Sequence, residues 1–288
     1  MTGDRFAGLR RRIAEIEGRS TAVVDLDAGM RAGDDKAPPG LSPRRSGGLV
    51  AFGIPALDER LAGGLRRDAL HEIRSDTTRD AIAATGFASA ILARLMAADD
   101  RPVLWIAEDA ALREAGLPYG IGLAGMGCDP ARLIVVRVRK PAEALWVFEE
   151  GLACRGLSAV LGELRGNPTV ADLTASRRLA LRARDAGVTG LLLRQSGEPE
   201  ASVAETRWAV APIPATPSAD FPAGIGLAAW QLTLERNRRG PTGAFDVEWD
   251  HGRRAFAPAG TGAAHSRAVA APSADRPDRA AGPSSLVA

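Results

Sequence analysis

Apolar residues recur along this chain in several different rhythms. Phe6, Leu9, Ile13 and Ile16 follow one another at steps of 3, 4 and 3, with Arg10, Arg11 and Arg12 off that stripe and Gly18 closing it. That spacing predicts an amphipathic helix over residues 1–19. Residues 20–45 turn polar and broken, running into GDDKAPPGLSPRRSGG, which predicts a flexible linker. From 46 to 258, short apolar runs alternate with helical stretches, the pattern of a mostly parallel sheet covered by helices. Strands are predicted at 69–73, 103–107, 133–138, 158–161 and 188–193, and helices at 81–97, 141–154 and 169–186. The first of these helices is apolar almost all round, Pro141 suits a first helical turn, and Gly187 is a helix stop. After residue 197 the runs 208–213 and 227–236 are strand-like and separated by prolines. Residues 244–249 and 253–257 flank Asp250-His251-Gly252 and predict a hairpin. The expectation is one α/β domain over 46–258 whose sheet finishes antiparallel, then a disordered tail over 259–288 rich in Ala, Pro, Ser and Gly.

Composition narrows the function classes. The chain has 288 residues, 45% of them hydrophobic, enough for one substantial core. Its net charge of +2 gives no broad field for nucleic acid or an anionic membrane. Lys36 and Lys140 are the only lysines. Cys128 and Cys154 form no CxxC pair, and His71, His251 and His265 lack ligand spacing, so neither a disulfide scaffold nor a metal site is expected. MTGDRFAGLRRR has no apolar leader core, and no uninterrupted apolar run approaches the roughly 18 residues of a membrane helix. A cytoplasmic location is expected.

The chemistry-bearing phrase runs from Val50 to Ile73. Gly53, Leu57, Asp58, Gly63, Gly64, Leu65, Glu72 and Ile73 stand in it at a spacing that resembles the opening of RecA-like domains, where a strand ending in Glu-Ile leads to a phosphate-binding loop. Such a loop needs glycines whose N–H groups cradle phosphates, a lysine and a hydroxyl for magnesium. The chain continues instead with Arg74-Ser75-Asp76-Thr77-Thr78-Arg79-Asp80-Ala81-Ile82. Asp80, Ala81 and Ile82 stand where Gly-Lys-Ser/Thr belongs, and Asp76 and Asp80 would repel a triphosphate. A plain strand-to-helix connection, with Asp or Thr capping the next helix, is the expected structure.

Three further positions follow in order. Glu108 resembles the glutamate that polarises the attacking water, Glu163 in Ala159-Val-Leu-Gly-Glu163 the magnesium-binding residue of a Walker B strand, and Gln195 the glutamine that senses the γ-phosphate. Without a phosphate cradle none is expected to be catalytic, and no cofactor is expected. Gly120-Ile-Gly-Leu-Ala-Gly125 spells GxGxxG, but it follows a helical stretch and leads to Asp129-Pro130 before a strand, so a loop is expected there rather than a dinucleotide site.

Residues 116–135, from Gly116-Leu-Pro-Tyr to Asp129-Pro-Ala-Arg-Leu-Ile-Val, and 234–249, Leu-Glu-Arg-Asn-Arg-Arg-Gly-Pro-Thr-Gly-Ala-Phe-Asp-Val-Glu-Trp, resemble the ImuA family. With the opening phrase the resemblance covers residues 50–257. It implies a RecA-like α/β core with a degenerate Walker A motif, and a non-catalytic role in SOS-induced translesion synthesis. The partners implied are ImuB, which is a Y-family polymerase relative, an alternative C-family DNA polymerase and, by fold analogy, RecA. Two other readings stay open: a SulA-like cell-division inhibitor that binds FtsZ, and an unorthodox ATPase using Glu108 and Glu163. Arg236, Arg238, Arg239, Arg253 and Arg254 are candidate DNA or partner contacts, set against ion pairing with Glu235, Asp246, Glu248 and Asp250. The stripe Phe6, Leu9, Ile13 and Ile16 serves either the chain's own domain or a partner.

Overall fold

The computed structural model describes residues 48–215 and 226–260. The predicted helix over 1–19 with its stripe Phe6, Leu9, Ile13 and Ile16, the linker over 20–45, and the tail beyond residue 260 lie outside the described residues.

Two short strands open the fold, β1 (Leu49–Val50) and β2 (Leu65–Arg66), paired antiparallel around helix α1 (Pro55–Arg60). Next come β3 (Leu70–Arg74), α2 (Ala81–Ala98), β4 (Val103–Glu108), α3 (Asp109–Ala115), α4 (Gly120–Met126), β5 (Leu133–Val138), α5 (Pro141–Ala153), β6 (Ala159–Arg165), α6 (Leu173–Ala186) and β7 (Thr189–Gln195). The chain finishes with β8 (Thr206–Pro212), β9 (Ala229–Asn237), β10 (Gly243–Asp250) and β11 (Ala255–Pro258).

A nine-stranded sheet runs in the order β11-β10-β9-β8-β3-β7-β6-β4-β5. Strands β8, β3, β7, β6, β4 and β5 are parallel, and β9, β10 and β11 continue antiparallel from β8. This is the α/β class expected, a mostly parallel sheet ending antiparallel. Helices on both faces bury the central strands, so β3, β4 and β7 are buried at every position; β4 and β7 carry continuous apolar runs, whereas β3 buries His71, Glu72 and Arg74 in polar contacts.

One face is covered by α2, whose buried residues include Ala84, Phe87, Ala88, Ile91, Leu92 and Leu95. Around it the ring centroids of Phe52, Phe87, Trp208, Trp230, Trp249 and Phe256 lie 4.9–6.3 Å apart. Together with the preceding turn, α2 is long and apolar enough to cross a membrane by length and composition, although Thr85, Ser89 and Arg94 interrupt its apolar run. Most of that length is buried against the sheet, which accounts for its apolar character. The other face carries α5 and α6 over a second core of Leu104, Phe148, Leu152, Val160, Leu179 and Leu192. Gly162 has no Cβ because Phe148 occupies that space, 2.5 Å from where a Cβ would be.

Several residues of the opening phrase hold the fold together. Asp58 accepts from the N–H groups of Phe52 (2.7 Å) and Gly53 (2.9 Å), Leu57 and Leu65 are buried, and Gly64 has φ +132 with Val50 backbone 2.5 Å from its would-be Cβ. Only glycine meets both conditions.

Four local expectations need correction. Gly120, Gly122 and Gly125 lie in α4 rather than a loop, because Leu123 is buried against α2 and Gly127, at φ +99, closes the turn through its N–H and that of Cys128. The helix expected from 169 starts at Leu173, where the Asp172 carboxylate accepts from Ala175 N (2.7 Å). Neither Thr77 nor Asp80 caps α2: Asp80 accepts from the Thr77 hydroxyl (2.9 Å) and a 3-10 turn, Thr78–Asp80, leads into the helix. In the terminal hairpin, strand pairing extends through Asp250 and the turn is made by residues 251–254.

Candidate functional site

Parallel strands that leave a sheet at the same edge bring their carboxyl ends together, and ligands of such folds bind there. Here β3, β4, β6 and β7 deliver Arg74, Glu108, Glu163 and Gln195 to that edge.

The turn after β3 is tied to the end of β7. Ser75 N donates to Arg194 O (3.1 Å), Gly197 N to Ser75 O (3.1 Å), and Ser196 N to Ser75 Oγ (3.0 Å). Thr78 Oγ1 and Ser196 Oγ share a hydrogen bond of 2.9 Å. Arg74 continues the strap: its guanidinium holds Glu235 of β9 through two nitrogens, Asp76, and Gly197 O (3.2 Å). Asp76 is therefore ion-paired. Ala81 is fully buried, whereas Ile82 is 65% exposed.

Beneath this turn Glu163 is 1% exposed and accepts three hydrogen bonds, from Thr85 Oγ1 of α2 (2.9 Å), Gln195 Nε2 (2.6 Å) and Trp105 Nε1 (3.2 Å). Burial pushes its carboxyl above the ordinary glutamate range, and the three donors pull it back. Gln195 Oε1 has no hydrogen-bond partner among the described residues. Glu108 stands one strand away and accepts from Arg165 N (3.0 Å). The structure thus joins Glu163 to Gln195 directly, sets Glu108 beside them, and leaves Asp76 and Asp80 in local contacts of their own.

Thr85, Trp105, Ser75 and Arg74 were missed as participants. The available signal was a threonine in a helix apolar almost all round. Its partner Glu163, though, is 78 positions away, beyond any local pattern.

A second polar cluster lies on the face of β3 that also carries Arg74. Glu72 Oε2 accepts from Arg207 Nε (2.7 Å) and Ser202 Oγ (3.0 Å), and Arg194 donates to Glu200 (3.3 Å) and Ala171 O (3.0 Å). His71, on the same strand, accepts at Nδ1 from Thr206 Oγ1 (2.8 Å), which in turn accepts from Trp208 Nε1 (2.9 Å). Its Nε2 donates to Arg66 O (2.7 Å), so the ring is the neutral Nε2–H tautomer. Burial pushes its pKa down to about 4. Among the described residues no three His, Cys, Asp or Glu side chains converge to hold a metal ion.

The C-terminal arginines are divided. Arg238 Nε donates to Ala204 O (3.2 Å), and Arg239 binds Gly64 O and Glu205 (3.2 Å). Arg236 is partly buried on β9. Arg253 is exposed and sits 3.7 Å from Asp250, and the Arg254 stem packs over Gly127 at φ +51.

No family model matches the chain. Two curated proteins called "Protein ImuA", from Caulobacter vibrioides strains NA1000 / CB15N and ATCC 19089 / CIP 103742 / CB 15, are each 32% identical to it over 224 residues. The match covers 72% of this chain and 87% of theirs. Among solved structures it is similar to the RadB recombinase at 14% identity and a TM-score of 0.49, over 72% of this chain and 98% of that one. The domain is an α/β fold with a mostly parallel sheet that ends antiparallel, its strands in the order given above.

Proposed function

The chain belongs to the ImuA family, and from that premise we propose that it is a non-catalytic accessory protein in SOS-induced, error-prone translesion synthesis. One observation carries the non-catalytic part: at the carboxyl ends of the parallel strands, where ligands of such folds bind, the polar groups are engaged in bonds within the chain. Ser75, Thr78 and Arg74 are tied to the 194–197 segment, and Glu163 is held by Thr85, Gln195 and Trp105. A metal ion at Glu163 would have to compete with three hydrogen bonds at a side chain 1% exposed. Unpairing those donors costs about 1–3 kcal/mol each.

On this reading the degenerate Walker A segment, Asp76 to Ile82, is a rigid strap, and the protein works through its surfaces. Its proposed partners are an ImuB-type Y-family polymerase relative and an alternative C-family DNA polymerase, with RecA a further one. Family membership supports a role in damage-induced mutagenesis, and the strap supports binding over chemistry.

Two measurements test the proposal. ATP with magnesium should leave the melting temperature of the purified chain unchanged, whereas a ligand at 100 times its Kd would add about 2.7 kcal/mol. Co-purification should retain the ImuB-type partner. ATP turnover abolished by Glu108→Gln, or retention of FtsZ in place of the polymerase relative, would overturn the reading.

A further inference from the structure

The C-terminal arginines first considered for DNA contact are mostly engaged with the chain itself, yet another group of arginines is not. Helix α6 buries Ala175, Ser176, Leu179 and Ala183 and turns Arg177, Arg178, Arg182 and Arg184 to solvent. The side chains of Arg178, Arg182 and Arg184 are 57%, 54% and 62% exposed.

Their counter-charges are few. Glu149 of α5 is shared by Arg178 (3.4 Å) and Arg182 (3.8 Å), Asp185 lies 3.8 Å from Arg184, and Arg177 makes no ion pair among the described residues. Three carboxylates therefore face four guanidinium groups: Glu149 and Asp185 in ion pairs, and Asp68 through its charge on Arg184. The helix dipole favours cations in the last turn, which accounts for Arg184 and in part Arg182. It gives nothing to Arg177 and Arg178 near the middle. The buried stripe is satisfied by small residues and one leucine, so packing does not call for these arginines either.

We propose that the outward face of α6 binds the phosphate backbone of nucleic acid. Arg178 and Arg182 stand one turn apart, about 6 Å along the axis, as do Arg177 and Leu181. The face presents a row of planar, permanently charged forks suited to phosphate oxygens. It carries no aromatic side chain on which a base could stack, so the contact reads the backbone rather than sequence. A single exposed leucine, Leu181, on a convex helix offers an acidic protein partner little apolar anchorage. This face lies on the α5–α6 side of the sheet, away from the strap at the strand ends. It would let the chain hold DNA while other surfaces hold proteins.

The test uses the full chain and fluorescent 30-nucleotide duplex and single-stranded DNA, followed by anisotropy from 50 to 300 mM salt. Wild type should bind in a salt-dependent manner. The variant R177Q/R178Q/R182Q/R184Q should melt as wild type does, bind at least ~10-fold more weakly at 100 mM salt, and have a log–log salt slope shallower by up to about 3 to 4. The comparison of the two DNA forms says which one the face prefers. The inference is overturned if wild type does not bind, if the quadruple variant binds equally well, or if loss follows Arg236, Arg238 and Arg253 instead. A weakening by Leu181→Ser that leaves the salt slope intact would also overturn it and indicate a protein-type anchor. Partner retention in the quadruple variant separates failure here from failure of the accessory-protein proposal.

Discussion

Replacing Glu163 by alanine perturbs the most interconnected side chain at the strand ends. The substitution removes the acceptor for Thr85 Oγ1, Gln195 Nε2 and Trp105 Nε1, at 2.9, 2.6 and 3.2 Å, in a position 1% exposed. A buried donor left unpaired costs about 1–3 kcal/mol. Removing a carboxyl that is itself costly to bury returns part of that, and water entering the vacated space returns more. The net loss expected is about 3–5 kcal/mol, a lowering of melting temperature by roughly 6–20 °C for a domain of this size. Urea unfolding followed by tryptophan fluorescence measures it, with Trp105 as a local reporter. Glu163→Gln supplies the complementary arm. Because burial raises the folded-state pKa of Glu163, its protonated form is favoured in the fold. Wild-type stability from this group is fully present below the ordinary glutamate value and lost as pH rises through the folded value. Relative to Glu163→Gln, the wild type should lose stability above about pH 4.5, at up to ~1.4 kcal/mol per pH unit. A loss under about 1 kcal/mol in the alanine variant, well below the range expected for three unpaired donors, would refute the reasoning, as would a stability difference from the glutamine variant that does not change with pH.

Other outcomes follow from the same geometry. His71 is neutral in the fold down to about pH 4, whereas the unfolded chain takes up a proton below about 6.5. The native state should therefore lose up to ~1.4 kcal/mol per pH unit as pH falls between those values, a slope that His71→Gln flattens in pH-dependent melting curves. Gly162→Ala places a methyl against Phe148 at 2.5 Å and should cost about 1–3 kcal/mol by chemical denaturation. Asp58→Ala removes the acceptor for two backbone N–H groups and should cost about 1–2 kcal/mol, with hydrogen exchange accelerating at Phe52 and Gly53.

Most strands and the three long helices from β3 to β11 were legible because each carries its own periodicity or punctuation. Pro141 opens α5, Gly187 closes α6, and uninterrupted apolar runs mark strands buried on both faces. Elements without such a signal were missed. The strands β1 and β2 are two residues each and α1 has six, too short for any period to show. The glycines of α4 argue locally against a helix, and it forms because Leu123 finds the α2 core.

The candidate site divides along the same line. Glu108, Glu163 and Gln195 could be placed at strand ends from chain order alone, and the absence of glycine and lysine around Asp80 and Ala81 is a property of the sequence itself. What these side chains touch was decided by strand order. Crossover connections put β6 between β4 and β7 and lay α2 across them, which brings Trp105, Thr85 and Gln195 onto Glu163 from positions 32 to 78 residues away. The tie between Ser75 and the 194–197 segment likewise needs β3 and β7 side by side. Local composition fixes which groups exist and which strand or helix carries them. Burial, pairing and charge state arise only when distant elements pack, because desolvation and hydrogen bonding depend on neighbours in space.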